Sequence, residues 1–134
     1  MRFSINFPVK IISGRSCVKT NQNELLLGKN AFIVTGSAGA ASSGALDDIT
    51  SILSENGILY SSYCSVPANP PLLGAYEAGL KANEINADFI IGIGGGSAMD
   101  AAKAVAAFAA NPHIAPEDIF DSSKLSNGAL PIVL

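Results

Sequence analysis

Charge is what this sequence has least of. Asp, Glu, Lys and Arg make up 14% of it, against roughly 25% in an ordinary soluble domain. Hydrophobic residues make up 49%. That mixture excludes intrinsic disorder, which needs few apolar residues and abundant charge. Basic residues are scarce, and 8 Lys and Arg against 11 Asp and Glu leave a net charge of −3. There is thus no basic footprint for nucleic acid, and none is expected as a partner. Histidine occurs once, as His113, so these residues hold no zinc or iron site built on imidazoles. Cysteine occurs twice, as Cys17 and Cys64, without CxxC spacing. Two buried thiols in a reducing cytosol are the expectation, ahead of one disulfide. Long hydrophobic runs are missing too. The most apolar stretch, residues 98–110, carries Asp100 and Lys103 and is too short to span a bilayer. Met1-Arg2-Phe3-Ser4 starts no apolar h-region and no small-residue cleavage site, so no signal peptide is expected. A cytoplasmic chain with no membrane partner is expected.

What is present is an alternation of short apolar runs with helix-period segments over 134 residues, about the size of one domain. The expected fold is α/β: a Rossmann-like, doubly wound, mostly parallel sheet with helices on both faces. Residues 31–35 form a continuous apolar run, as in a strand covered on both faces. Further strands are expected at residues 58–63, 87–93 and 130–134. Phe3, Ile5 and Phe7 alternate with period two and residues 9–12 add a second extended piece, making residues 3–12 a candidate N-terminal β-hairpin. Residues 16–27 read as a helix with Gly28 as its stop. A second helix runs through Leu46, Ile49, Ile52 and Leu53 to Gly57, and a third opens at Pro71 and carries Leu72, Leu73, Tyr76 and Leu80. A fourth covers 97–110. Residues 36–44 read as a Gly/Ala/Ser loop, and 111–128 as loop with a short helix at 116–120.

The most informative stretch joins the strand at 87–93 to the helix at 97–110 through Gly94-Gly95-Gly96. Three missing side chains free the backbone to adopt positive φ and to approach a ligand closely. The helix that follows offers unpaired N–H groups and the positive end of its dipole, the elements of an anion site. Ser97 fits a helix N-cap and Asp100 a capping-box acid, and both roles are compatible with ligand binding. Lys103 reads more simply as a solvated or i,i+3-paired lysine. Gly92-Ile93-Gly94-Gly95-Gly96-Ser97 departs from GxGxxG at its last position and follows a late strand, so the ordinary Rossmann fingerprint does not apply.

The run Asp88-Phe-Ile-Ile-Gly-Ile-Gly-Gly-Gly-Ser97-Ala-Met-Asp100-Ala-Ala-Lys103 resembles the glycine signature of the iron-containing (group III) alcohol dehydrogenases. Three further segments fall in that family's order. Lys29 to Thr35 resembles the strand after its "GK", Pro67-Ala-Asn69-Pro70-Pro71 its "PNPT"-like segment, and Leu130-Pro131-Ile132 the strand before "PTTAGTGSE". The resemblance implies NADP or NAD as cofactor, with the pyrophosphate on Gly94, Gly95, Gly96 and Ser97 and Asn69 lining the cleft. Gly36, Ser37 and Asp100 complete the expected cofactor-binding set. It also implies reversible hydride transfer from a small alcohol, or to an aldehyde. In the family Fe2+ (or Zn2+) polarises the substrate oxygen, held by one Asp and three His of a helical second domain. None of those ligands has a counterpart in residues 1–134, and His113 is expected to be a surface histidine.

One departure concerns the cofactor. NAD-preferring members carry an Asp after the strand matching residues 31–35, where this sequence has Gly36-Ser37. Without that carboxylate a 2′-phosphate is not repelled, and NADP(H) or mixed use is expected. The leading reading is thus the cofactor half of a dehydrogenase, incomplete as a catalyst and homo-oligomeric through exposed apolar surface. A relative of glycerol dehydrogenase or dehydroquinate synthase and a stand-alone nucleotide-binding module remain as alternatives.

Overall fold

The computed structural model of the chain describes residues 9–36, 39–67 and 71–134. Its centre is a sheet of β1 (Asn30–Gly36), β2 (Leu59–Val66), β3 (Phe89–Ile93) and β4 (Ile132–Val133) in the order β2-β1-β3-β4. All three pairings are parallel, with Ala31 opposite Phe89 and Thr35 opposite Ile93 at the two ends of the central pair. The helices are α1 (Cys17–Thr20), α2 (Gly39–Ser42), α3 (Ala45–Glu55), α4 (Leu72–Glu84) and α5 (Gly96–Ala110). Two 3-10 turns, Gln22–Leu25 and Pro116–Phe120, complete the elements.

The central strands are apolar on both faces because both are covered. Phe32, Val34 and Ile90 pack with Ala78, Ala82, Val105 and Phe108 of α4 and α5. Ala31, Ile33, Phe89 and Ile91 point the other way, onto Ile49, Ile52 and Leu53 of α3, as alternation along a strand requires. Helix α5 approaches closely because its inner face is mostly alanine. Gly92 beneath it leaves room, since a β-carbon there would sit 2.7 Å from those of Ala102. Tyr76 and Phe108 join α4 to α5 through an edge-to-face contact at 5.2 Å. Helix α3 lies on one face of the sheet and α5 on the other, and the strand order reverses between β1 and β3. The carboxyl ends of these two strands therefore border the crevice where doubly wound sheets hold ligands.

Several local expectations are corrected. Residues 16–27 are not one helix: Ser16 takes φ 57, and Asn21 and Thr20 turn their side chains back onto Cys17 and Ser16 carbonyls. Such local bonds compete with helix continuation, leaving α1 and a 3-10 turn. Residues 9–12 join no strand and are exposed; Lys10 pairs with Glu24 instead. The rest of the candidate hairpin, residues 3–8, lies outside the described residues. Part of the expected loop at 36–44 is helical, as α2. Cys17 and Cys64 are both free, but Cys17 is half-buried and Cys64 exposed, because β2 is an edge strand with one neighbour. Among the described residues no helix is long and apolar enough to cross a membrane.

Candidate functional site

The site is assembled from the ends of β1 and β3. Gly36 closes β1, and Gly94 follows β3 at φ 145, a conformation that side chains rarely tolerate. A β-carbon on Gly94 would lie 2.9 Å from that of Ala98 and 3.7 Å from the Gly36 nitrogen. One on Gly36 would meet the same Ala98 methyl at 3.9 Å. The two strand ends thus meet over one small buried residue in the first turn of α5. Sequence reasoning passed over Ala98, although a small residue directly after the glycine run was the available signal.

Gly95 and Gly96 are exposed, and a β-carbon on either would meet nothing within 4 Å among the described residues. Bare backbone therefore faces open space where α5 begins. Gly95 is the N-cap residue, in extended conformation, and no side chain caps the helix. The N–H groups of Gly95, Gly96 and Ser97 donate to no acceptor among the described residues, and the first turn holds no acid. Open donors at the positive end of a 15-residue helix, free of competing carboxylates, suit an anionic oxygen.

The capping reading of Ser97 and Asp100 is corrected. The Gly94 turn starts the helix before Ser97, which becomes its second residue, half-buried. Asp100 turns outward, its side chain 74% exposed, and accepts from Lys103 Nζ at 3.0 Å. This is the paired lysine the spacing allows. The structure therefore brings Gly36 against Gly94, from which Gly95, Gly96 and Ser97 lead into α5, and sets Asp100 on the outer side of the same helix start. Ser37 and Asn69 lie outside the described residues. His113 is exposed, its Nε2 3.2 Å from the Ser126 hydroxyl. Among the described residues no group of three or more His, Cys, Asp or Glu side chains is placed to hold a metal ion.

Comparison with known proteins identifies the family and supports the fold. The sequence profile of the iron-containing alcohol dehydrogenases matches residues 8–134. The chain is 32% identical over 130 residues to a probable NADH-dependent butanol dehydrogenase 2 of Bacillus subtilis, covering 96% of this chain and 33% of that protein. It is 31% identical over 121 residues to an NADPH-dependent butanol dehydrogenase of Clostridium saccharobutylicum, covering 90% of this chain and 30% of the other. The crystal structure of an iron-containing alcohol dehydrogenase from Thermotoga maritima superposes with a TM-score of 0.89 at 32% identity, over 98% of this chain and 36% of that one. The chain spans about a third of the length of these relatives. It belongs to the iron-containing alcohol dehydrogenase family.

Proposed function

We propose that, as a member of this family, the chain binds a nicotinamide dinucleotide at the β1/β3 crevice and forms the cofactor-holding part of an alcohol dehydrogenase. The observation that carries this reading is the bare backbone of Gly95 and Gly96 at the open start of α5, beside a Gly94 that tolerates no side chain. The cradle fits a pyrophosphate: the main-chain N–H groups of Gly95, Gly96 and Ser97 would hold its oxygens, with the Ser97 hydroxyl beside them. Gly36 and Ser37 would face the adenosine ribose, Asn69 would line the cleft, and Asp100 would stand at its rim. When bound, the nicotinamide supplies the hydride chemistry between a small alcohol and its aldehyde or ketone. The protein's part is to fix its position and orientation. The described residues offer no group of three His, Cys, Asp or Glu side chains that fits a catalytic metal.

For the cofactor we read mixed use. Gly36-Ser37 offers no carboxylate against a 2′-phosphate, yet residues 30–80 contain neither Lys nor Arg to pair with one. Neither repulsion nor an ion pair is supplied, so NADH and NADPH are expected to bind within about tenfold of each other. Fluorescence titration of both against the chain tests the whole reading. Saturable binding of both supports it; a clear NADH preference overturns mixed use, and no binding of either overturns the site. Two unpaired cysteines fit a reducing compartment and a cytoplasmic location. Exposed Leu59, Tyr60 and Leu73 support self-association, which light scattering measures; a strictly monodisperse monomer argues against it.

A further inference from the structure

The sequence contains two Asn-Gly pairs, Asn56-Gly57 and Asn127-Gly128, and the fold treats them differently. Gly57 takes φ 68 and donates its N–H to the Ser54 carbonyl at 3.1 Å, closing the end of α3. Both asparagines are themselves held, Asn56 by its N–H and Nδ2 donating to the Ile52 carbonyl at 3.2 and 2.8 Å and Asn127 by Ala110 and Asn111, so the difference lies in the glycine nitrogen. The Gly128 N–H, in contrast, donates to no acceptor among the described residues, and residues 126–129 are all exposed. Asn127 and Gly128 border an open hollow of about 410 Å³ shared with Asn83, Asn86 and Leu130, so water reaches the pair.

We infer that Asn127 is a site of spontaneous deamidation in the folded chain, whereas Asn56 is protected. The Gly128 nitrogen attacks Asn127 Cγ. A bond from nitrogen to Cγ forms, the Cγ–Nδ2 bond breaks, and ammonia leaves with the proton lost from the Gly128 nitrogen. Water then opens the five-membered imide at either carbonyl and gives aspartate or isoaspartate. One water is consumed, one ammonia is released, and nothing is oxidised or reduced. At Asn56 the attacking nitrogen belongs to Gly57, whose N–H is held by Ser54 in a helix-terminal turn. Reaction there waits for local opening.

The product alters a built contact. Asn127 Nδ2 donates to the carbonyl of Ala110, the last residue of α5, at 2.9 Å. The fully buried Asn111 donates to the Asn127 carbonyl at 2.9 Å and accepts the Asn127 N–H at 2.8 Å. Aspartate at 127 removes a donor and sets a negative charge against the negative end of the α5 dipole. Isoaspartate lengthens the main chain by one carbon and breaks the paired grip of Asn111. Either product loosens the segment leading into β4 from the end of α5 remote from the glycine turn.

The test is incubation of the folded chain in mildly alkaline buffer, with tryptic peptides followed by mass spectrometry, beside the same incubation in denaturing urea. Asn127 is expected to convert at least about fivefold faster than Asn56 in the folded chain, with the ratio falling toward one in urea. Equal rates in the folded chain, or faster reaction at Asn56, overturn the inference. So does an unchanged ratio in urea, which would place the difference in neighbouring residues instead of the fold. The variant Gly128→Ala is expected to slow conversion at residue 127 alone; no slowing counts against attack by that nitrogen.

Discussion

A β-carbon on Gly28 would lie 2.2 Å from a carboxylate oxygen of Asp88, the residue just before β3. That carboxylate accepts the N–H of Lys29 at 2.8 Å and the N–H of Asn30 at 3.0 Å, pinning the start of β1 against the start of β3. The variant Gly28→Ala must displace it, and is expected to cost about 1–3 kcal/mol, the range for losing bonds to a charged acceptor. Asp88→Ala should cost a similar amount. The double variant should cost little more than either alone, because both remove the same pair of bonds. Urea melts of the four proteins measure this; fully additive losses would show that Gly28 matters for another reason.

Gly28 also shows where local reading of the sequence stops. By position it looks like a helix C-terminal stop, yet no helix ends on it. Its smallness answers to a carboxylate distant in sequence, and such a pairing leaves no periodic trace. Strands β1 and β3 were legible because burial on both faces demands unbroken apolar runs, and α3 because Ile49, Ile52 and Leu53 recur on one face. The Gly94 turn was legible from three successive glycines. The helix start at Gly96 was not: Ser97 is a good cap by type, and only the φ of Gly94 decides that the helix begins ahead of it. Helix α2 had no apolar spacing to announce it.

Two glycines in α4 should respond in opposite directions to alanine. On Gly79 a β-carbon would meet Phe108 Cβ at 2.4 Å and the Ala109 nitrogen at 3.2 Å. The contact is with α5 backbone and the root of a buried ring, and neither can swing away. Gly79→Ala is expected to destabilise by about 1–3 kcal/mol through overpacking. On Gly74 the nearest atoms are the Tyr63 hydroxyl at 3.6 Å and Pro71 Cγ at 3.8 Å, ordinary contact distances. Gly74→Ala is therefore expected to gain up to about 1 kcal/mol from helix propensity. Thermal melts of the two variants against the parent chain check both signs.

The turn after Phe120 carries a pH-sensitive contact. The Ser123 hydroxyl donates to Asp121 Oδ1 at 2.6 Å and the Ser123 N–H at 3.0 Å. These bonds hold the Asp121 carboxyl below its ordinary value, hydroxyl first, with a smaller contribution from Lys124. A lowered folded pKa contributes stability that is present above the unfolded value and lost as pH falls through the folded one. Its window therefore lies below about pH 4. Ser123→Ala should move the Asp121 titration upward, read from its carboxyl carbon shift by NMR. An unmoved titration would assign the lowering to the Ser123 N–H, which alanine retains, and to Lys124 instead of the hydroxyl.

The glycines of the cradle separate binding from folding. Gly96 occupies the first position of α5, and a methyl added there meets nothing within 4 Å among the described residues. Gly96→Ala should leave the melting temperature unchanged or slightly raised, since alanine favours the helix. The methyl would nevertheless stand in the open space in front of the donors and hold a pyrophosphate away from them. Loss of one charge-assisted bond weakens dinucleotide binding about tenfold or more. Gly94→Ala is different in kind. Its φ of 145 and the Ala98 contact at 2.9 Å make the substitution strained at about 1–3 kcal/mol, so stability and binding should fall together. Melting curves paired with NADH and NADPH titrations distinguish the two glycines. If Gly96→Ala binds both dinucleotides as tightly as the parent chain, the pyrophosphate does not sit at the start of α5.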